Sequence, residues 1–223
     1  KLNAYFSDKI DIKDITNQES SGRCWLFTGL NMMRPAVMEK YGLKEFQFSY
    51  NYSFFWDQFE KANLFLEAMI ATSDKPMEDR TVDWLFKRPI GDGGQWTGVV
   101  NIVEKYGLVP ATAMPETENS DNTSLMSRLL RRKLREDGLK IREMASKGTE
   151  AQALEEEKIK MLGDIYRIHV LCLGEPPAEF TWQYKGKDGN ISDPKKYTPK
   201  VFYDEVVGIK LQDYVMFMND PVR

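Results

Sequence analysis

The residues of this chain that could most directly carry out chemistry are a cysteine and a glutamine six positions before it. Cys24 and Gln18 lie in the segment of residues 16–27, which reads TNQESSGRCWLF. A thiolate is a strong nucleophile, and a glutamine amide can donate a hydrogen bond to the charge that develops on a carbonyl oxygen under attack. The pair therefore predicts attack on a carbonyl group, with Cys24 as the nucleophile and Gln18 as an oxyanion donor.

The residues that follow Cys24 predict the helix that would position its sulfur. Apolar side chains recur from Trp25 to Met38, and the run ends at Gly42, a residue suited to a helix C-cap. Residues 20–22 supply a flexible turn before the helix. Because the positive end of a helix dipole favours a thiolate, we expect Cys24 at the first turn of a buried helix, with its thiol at the mouth of a groove.

A series of motifs occurs in a fixed order, at residues 17–31, 45–57, 92–96, 103–107, 172–177, 180–182 and 219–221. Together they resemble the bleomycin hydrolase and aminopeptidase C family of papain-like cysteine peptidases. They extend over nearly the whole chain, which makes them far more specific than a lone Cys-Trp pair. The resemblance implies an α+β, papain-like fold.

The resemblance also implies an activity and an assembly. In this family the cysteine attacks a peptide carbonyl, the glutamine and the cysteine's own N–H hold the oxyanion, and water resolves the thioester. Transferred to this chain, Cys24 and Gln18 are the expected catalytic residues. The resemblance further implies an aminopeptidase preference and a homohexamer whose active sites face an inner chamber.

Gly93 and Gly94 are the candidate substrate-binding residues. With no Cβ, a glycine pair lets backbone approach a bound peptide closely, and an ordinary turn is the alternative interpretation. The flanking Asp92, Gln95 and Trp96 resemble the family, in which such a pair hydrogen-bonds the main chain of the substrate. We therefore expect Gly93 and Gly94 to form a wall of the cleft.

The general base is not evident in the sequence. A cysteine peptidase needs an imidazole, and His169 is the only histidine of the chain. Its separation from Cys24 would suit a simple papain-like enzyme, as would the position of Asn190. The segment around His169 nevertheless resembles a family region upstream of the catalytic histidine, and Asn190 lacks the Asn-Ser-Trp context. We therefore predict that His169 is a structural residue on an apolar strand.

The resemblance ends about midway through a typical family member. On that basis we expect the chain to be the nucleophile-bearing half of a longer enzyme, with the general-base histidine and its orienting asparagine in the other half. Three parts are expected within the chain. Residues 1–110 form a helical domain with the nucleophile helix and the cleft wall, residues 111–166 form a helical insertion, and residues 167–223 form short strands and loops that lead into the β-domain.

Hydrophobic periodicity and turn residues predict the remaining elements. Further helices are expected over residues 49–70, 76–88 and 95–106. Within the insertion, a helix that begins near Leu125 is expected to break near Gly138, and a second amphipathic stretch covers residues 150–166. Strands are expected over residues 165–173, 180–184 and 214–218, and a short helix is expected after Thr198 and Pro199.

Composition limits the classes of partner. At 223 residues and 42% hydrophobic side chains, the chain can bury one or two cores. No apolar run approaches the roughly 20 residues that span a bilayer, so no membrane partner is expected. A net charge of −3 gives no global reason to expect nucleic acid.

The two cysteines of the chain bear on its compartment. Secreted papain-like enzymes carry a disulfide whose positions correspond, by resemblance, to Ser21 and Gly91, so both halves are missing. This suits a cytoplasmic protein, since disulfides rarely persist in a reducing cytosol. Cys172 lies in an apolar run and is predicted to be a small buried hydrophobe. No metal or organic cofactor is indicated.

Two alternative functions are compatible with the sequence. The chain could be a papain-like binding module that has lost its chemistry, although an intact Gln18 and Cys24 favour an enzyme. It could also bind nucleic acid through the basic run of residues 128–135, where a solvated helix face is the favoured interpretation because acidic residues follow and no aromatic residues are interleaved. The basic residues of this run are Arg128, Arg131, Arg132, Lys133 and Arg135.

Overall fold

The structure is a computed structural model that describes residues 15–215. The described chain is mostly helical. Its helices are α1 (Cys24–Lys40), α2 (Tyr50–Ala71), α3 (Arg80–Lys87), α4 (Trp96–Tyr106), α5 (Glu118–Asp121), α6 (Ser124–Ser146), α7 (Ala151–Leu173) and α8 (Pro199–Phe202). The strands are β1 (Phe180–Trp182) and β2 (Lys195–Tyr197), and a π-helical turn (Tyr203–Val207) and a 3₁₀ turn (Leu211–Asp213) follow α8.

Helix α2 is the centre of the fold. It packs against four other helices, α1, α4, α6 and α7. Ser49 begins it as predicted, because the Ser49 Oγ accepts a hydrogen bond from the Tyr52 N–H at 3.0 Å. The dense aromatic segment of α2 is core, with Phe54 and Phe55 fully buried. A single apolar cluster contains side chains from all five of these helices.

The predicted break near Gly138 is wrong, because α6 is continuous from Ser124 to Ser146. A Cβ built at Gly138 would lie 3.1 Å from the Met69 Cγ and Sδ and 3.2 Å from the Phe65 Cε1. Both neighbours belong to α2. The glycine therefore lets two long helices approach each other closely and does not interrupt either of them.

The strand predicted over residues 165–173 is also wrong, because these residues form the last part of α7. Buried side chains recur every three or four residues along this helix, at Leu154, Lys158, Met161, Ile165, His169 and Leu173. Leu171, between two of them, is 85% exposed. The apolar and β-branched composition favours a strand, but packing against α2 and α6 stabilises a helix here.

The sheet is small. Strand β1 covers the first part of the strand predicted over residues 180–184 and pairs antiparallel with β2, with Phe180 opposite Tyr197. The short helix predicted after Thr198 is confirmed as α8, and the Thr198 Oγ1 accepts from the Val201 N–H. Residues 214–215 are not in a strand, and the rest of the strand predicted over 214–218 lies outside the described residues. The observed fold class is α+β, as predicted.

Candidate active site

Cys24 begins helix α1, as the sequence predicts, and it is exposed. Arg23 precedes it as the N-cap, and its carbonyl accepts hydrogen bonds from the N–H groups of Leu26 and Phe27 at 2.9 and 3.0 Å. Because Leu26 and Leu30 are fully buried, the helix that presents the thiol is fixed in the core. The catalytic role of Cys24 stays a prediction.

The loop that carries Gln18 is held by short-range hydrogen bonds. Gln18 is half-buried, and its Oε1 is buried with no hydrogen-bond partner among residues 15–215. Ser21 donates from Oγ to the Gln18 carbonyl oxygen at 2.6 Å. The next residue, Glu19, has φ of 51°, a left-handed conformation that is uncommon outside glycine. Asn17 stabilises it, because the Asn17 Oδ1 accepts from the Glu19 N–H at 3.0 Å.

Asp92 links three parts of the site through its side chain and its backbone carbonyl. Its Oδ2 accepts hydrogen bonds from the Gly22 N–H at 3.2 Å and from the Thr123 Oγ1 at 2.5 Å. Its Oδ1 accepts from the Ser127 Oγ at 3.2 Å, and its backbone carbonyl accepts from the Trp25 Nε1 at 2.8 Å. The turn before the nucleophile, helix α1 and the start of α6 are therefore joined at a single residue.

The candidate cleft wall of Gly93 and Gly94 lies against the nucleophile helix. A Cβ at Gly94 would lie 2.5 to 2.8 Å from atoms of the Trp25 indole, whereas a Cβ at Gly93 would meet nothing within 4 Å. Gly94 is exposed, and within the described part of the chain its N–H and carbonyl make no hydrogen bond. Its main chain is therefore available to a bound peptide. Gly93 differs, because its carbonyl accepts from the Lys61 Nζ at 2.7 Å.

Helix α2 supplies a polar group that supports this wall. Lys61 donates to the Gly91 carbonyl at 3.1 Å and forms an ion pair with Asp57 at 2.7 Å. Gln58 donates from Nε2 to the same Gly91 carbonyl at 3.1 Å. Burial raises the pKa of the Asp57 carboxyl, and the Lys61 ammonium opposes this increase. Sequence reasoning missed this support, although the i,i+4 spacing of Asp57 and Lys61 on a helix was a visible signal.

His169 is a structural residue, as predicted, but it lies on a helix. It is fully buried in α7, and its ring makes edge contacts with Phe55 and Phe59. The His169 Nδ1 is 2.8 Å from the Ile165 carbonyl oxygen. Burial lowers the pKa of this imidazole from 6.5 to about 4. A neutral ring enclosed by the core is not placed to exchange protons with an exposed thiol.

Asn190 and Cys172 are the two other residues that the sequence analysis considers. Asn190 lies in an exposed turn and donates from its Nδ2 to the Asp188 Oδ2 at 2.7 Å. Cys172 is half-buried near the end of α7 and packs against the core, and burial raises the pKa of its thiol. The predicted role of Cys172 as a small apolar side chain fits this environment, although Cys172 is only partly buried.

The basic run of residues 128–135 mainly fastens α6 to the rest of the fold. Arg131 donates to the Ile90 carbonyl at 3.2 Å, and Arg135 donates to the Phe86 carbonyl at 2.8 Å. Lys133 pairs with Asp137 and Asp164, and Arg132 pairs with Glu136. Since most of these cations already have protein partners, the run offers little free charge to a phosphate backbone. Nothing in this geometry favours the nucleic-acid alternative.

Residues 15–215 contain neither a candidate metal-binding cluster nor a helix suited to crossing a membrane. Between residues 15 and 215, no cluster of three or more histidine, cysteine, aspartate or glutamate side chains could hold a metal ion. Over the same residues, no helix has the combination of length and apolar character that crossing a membrane requires.

Comparison with known proteins identifies the family. The family model described as "Peptidase C1-like family" matches residues 1–223, which is the whole chain. The chain therefore belongs to this family of papain-like cysteine peptidases.

Relatives and a solved structure give the same result. The chain is 41% identical to aminopeptidase C of Lactobacillus delbrueckii subsp. lactis over 220 residues, which are 99% of this chain and 49% of that protein. It is 41% identical to bleomycin hydrolase of Rattus norvegicus over 213 residues, which are 94% of this chain and 47% of that protein. The crystal structure of PepW from Lactobacillus rhamnosis HN001 superposes with a TM-score of 0.91 at 39% identity, covering 95% of this chain and 47% of that one. The chain thus spans about half the length of the curated relatives it matches.

Proposed function

We propose that this chain carries the nucleophile and the oxyanion donors of a papain-like cysteine aminopeptidase of the bleomycin hydrolase type. The observation that most supports the proposal is the exposed Cys24 thiol at the first residue of a buried helix, in a chain of the peptidase C1-like family. Relatives at about 41% identity are named aminopeptidase C and bleomycin hydrolase. Peptides are the substrates that these names and this site support.

The proposed reaction proceeds in two stages. The Cys24 thiolate attacks the carbonyl carbon of a peptide bond, a C–S bond forms, and the carbonyl electron pair moves to oxygen, where the Gln18 amide and the Cys24 N–H stabilise it. Collapse of this intermediate breaks the C–N bond, and the amine leaves with a proton from an imidazolium group. Water then hydrolyses the thioester and regenerates the thiol.

The imidazole of this reaction must come from outside these 223 residues. His169 is the only histidine in the chain, and it is fully buried in the core. A general base must come within hydrogen-bond reach of the proton it removes, directly or through one water. We therefore place the general-base histidine and its orienting asparagine in sequence that this chain does not include.

Gly94 is the proposed contact for the main chain of the substrate. Its N–H and carbonyl make no hydrogen bond within residues 15–215. It lies directly over the indole of Trp25, the residue that follows Cys24 in the chain. An extended peptide could pair with both groups as a strand pairs with a sheet edge. Gly93 would act by its shape, because its carbonyl is already bound by Lys61.

Location and assembly are further parts of the proposal. A cytoplasmic location is supported by two free cysteines and by Ser21 and Gly91 at the positions of the disulfide seen in secreted papain-like enzymes. The homohexamer implied by the family resemblance is compatible with apolar side chains that this chain exposes, among them Leu171 at 85%. Light scattering of the purified whole protein would measure the assembly directly.

The test uses a dipeptide nitrile with a free amino terminus. A nucleophilic cysteine adds to the nitrile carbon, and the thiol proton passes to nitrogen to give a reversible thioimidate. The experiment uses the whole protein, and binding is read as protection of Cys24 from iodoacetamide, followed by mass spectrometry of the peptide that contains Cys24. We expect Cys24 to be alkylated and to be protected by the nitrile, and Gln18→Ala to weaken the nitrile about tenfold or more by removing an oxyanion donor.

Two outcomes would contradict the proposal. A Cys24 thiol that iodoacetamide modifies but the nitrile fails to protect would favour a papain-like binding module without chemistry. Equal nitrile affinity in the wild type and in Gln18→Ala would remove Gln18 from the oxyanion site. The matched control is Cys24→Ser in the whole protein, which should show no labelling of that peptide.

A further inference from the structure

The side chain of Arg23 is unusual for the residue that immediately precedes an exposed nucleophile. It is fully buried, although it carries a permanent charge. A buried guanidinium is costly unless it is paired and hydrogen-bonded. Its burial so close to Cys24 therefore calls for a functional or structural reason beyond the N-cap geometry of the backbone.

The guanidinium is surrounded by partners from different parts of the chain. Its Nη1 forms an ion pair with the Glu116 Oε2 at 2.7 Å, whereas its buried Nη2 makes no hydrogen bond within residues 15–215 and lies 4.0 Å from the Asp121 Oδ1. The rings of Phe27 and Phe54 lie with their centroids 5.1 and 5.3 Å from its Cζ. Because Glu116 balances the charge, Arg23 contributes geometry more than positive potential at the thiol.

A relay of two hydrogen bonds connects this guanidinium to the predicted oxyanion donor. The Arg23 Nε donates to the Ser21 Oγ at 2.9 Å. Since that hydroxyl has a single hydrogen, it donates onward to the Gln18 carbonyl at 2.6 Å. The backbone of Gln18 is therefore tied to a buried, immobile group.

The loop needs such a restraint because its own backbone is not regular. Glu19 adopts φ of 51°, and residues 15–23 contain no helix. The Ser20 N–H donates to the Asp121 carbonyl at 2.8 Å, so the segment that supplies Glu116 to Arg23 also holds the loop directly. Fixing the Gln18 carbonyl fixes the direction in which the Gln18 side chain leaves the backbone.

We propose that Arg23 is a positioning residue, which acts through Ser21 to hold Gln18 in the geometry required of an oxyanion donor. This inference rests on the proposed function, since it assigns a cause to the placement of a residue of the same site. Arg23 does not touch the substrate. Its effect is expected on the stabilisation of charge at the reacting atom and not on the reactivity of the Cys24 thiol.

The experiment separates these two effects. Nitrile affinity reports on the oxyanion donors, whereas direct alkylation by iodoacetamide displaces iodide at carbon and creates no oxyanion. In the whole protein we compare Ser21→Ala, which removes the relay hydroxyl, with Arg23→Lys, which keeps the charge beside Glu116 but lacks the planar donor fork. We expect each to weaken the nitrile about tenfold, to leave the alkylation rate of Cys24 within about twofold, and to show no further loss when combined.

Arg34 offers a matched control for the cost of altering a buried arginine. It lies on the same helix, is 1% exposed, and donates from Nε to the Phe46 carbonyl at 2.7 Å. Arg34→Lys should lower stability without changing the ratio of nitrile affinity to alkylation rate. Ser21→Ala keeps the test decisive if Arg23→Lys does not fold, because it deletes only one hydroxyl from a half-buried side chain.

The possible failures can be told apart. If Gln18→Ala binds the nitrile as tightly as the wild type, the oxyanion role of Gln18 fails, and the inference fails with it. If Gln18→Ala weakens the nitrile and Ser21→Ala does not, the inference alone is overturned. A parallel loss of nitrile affinity and alkylation rate in Ser21→Ala would also overturn it, because it would show general loss of order around Cys24.

Discussion

Two adjacent glycines of the candidate site play different structural parts at the scale of single residues. Gly94 lies directly against the Trp25 indole, and Gly93 has open space where a Cβ would be. The sequence alone does not distinguish Gly93 from Gly94, because they are adjacent and identical residues. Only the position of the Trp25 ring makes one of them intolerant of a side chain.

Alanine substitutions at these two positions should therefore differ. In Gly94→Ala the new methyl would lie 2.5 to 2.8 Å from aromatic ring atoms, so the ring or the loop must move. We expect a loss of about 1–3 kcal/mol in the free energy of unfolding, typical of overpacking. Gly93→Ala is the matched control and should change stability by less than about 0.5 kcal/mol. Urea denaturation measures both, and equal effects would show that the contact is not tight.

His169 is a second residue whose neighbours decide its behaviour. The core holds its pKa at about 4, against 6.5 for an ordinary imidazole. Between these two values the unfolded chain binds a proton that the folded chain does not. The free energy of unfolding should therefore fall as the pH decreases from 6.5 to 4, by about 3 kcal/mol in total, and this loss is absent above pH 6.5.

Replacing this imidazole tests the pH dependence. In His169→Gln the side chain no longer titrates, so the difference in unfolding free energy between variant and wild type should change by about 3 kcal/mol between pH 7 and pH 4. Urea denaturation at a series of pH values measures it. The NMR titration of the His169 imidazole, assigned by its absence in His169→Gln, is an independent check. A midpoint near 6.5 in the folded protein would contradict the prediction.

At the scale of elements, the helices beneath the site act as its scaffold. Helix α2 holds the Gly91 and Gly93 carbonyls through Lys61. Helix α6 contacts the same loop, through Ser127 to Asp92 and through Arg131 to the Ile90 carbonyl. The region expected as a peripheral insertion thus contributes contacts to the candidate cleft. The position of this inserted region depends on how closely α6 approaches α2.

Glycines in α6 and α7 allow that approach to be tested. Alanine in an exposed helix interior is worth about 1 kcal/mol more than glycine, so Gly163→Ala in α7, with nothing within 4 Å, should stabilise the protein by about 0.5–1 kcal/mol. Gly138→Ala places a methyl 3.1 to 3.2 Å from Met69 and Phe65 and should instead destabilise it by about 1 kcal/mol. Thermal denaturation compares the two, and equal stabilisation would mean that α6 and α2 are not in close contact.

At the scale of the whole molecule, the predicted parts 1–110 and 111–166 contribute side chains to the same apolar core. The apolar cluster includes Leu30 of α1, Phe55 of α2, Leu134 of α6 and Ile165 of α7. Residues on both sides of the expected boundary at 110/111 are therefore buried together. This favours the view of residues 111–166 as an insertion into one folding unit over a separate domain.

A shared core predicts cooperative unfolding. Far-ultraviolet circular dichroism follows all helices, whereas tryptophan fluorescence follows local environments such as those of Trp25, Trp56 and Trp182. We expect the two signals to give coincident urea transitions, because loss of α6 and α7 would expose the core face of α2. An early transition seen by circular dichroism alone would indicate that the insertion unfolds on its own.

The sequence by itself determined the family, the α+β class and the candidate nucleophile. These depend on local signals: the order of motifs, a cysteine at the beginning of an apolar helical run, and a Ser49 cap that the structure confirms. The position of Cys24 could be predicted because helix periodicity and N-terminal location are properties of neighbouring residues. The structural role of His169 was also predictable, although its helix was not.

The tertiary structure decided what depends on partners distant in the chain. Residues 165–173 are helical because α2 and α6 pack on them, and Gly138 is a close contact because α2 crosses at that point. The burial of Arg23 results from Glu116, Phe27 and Phe54 meeting around it. Burial and pairing are set by which surfaces face each other, and a linear pattern does not contain that information.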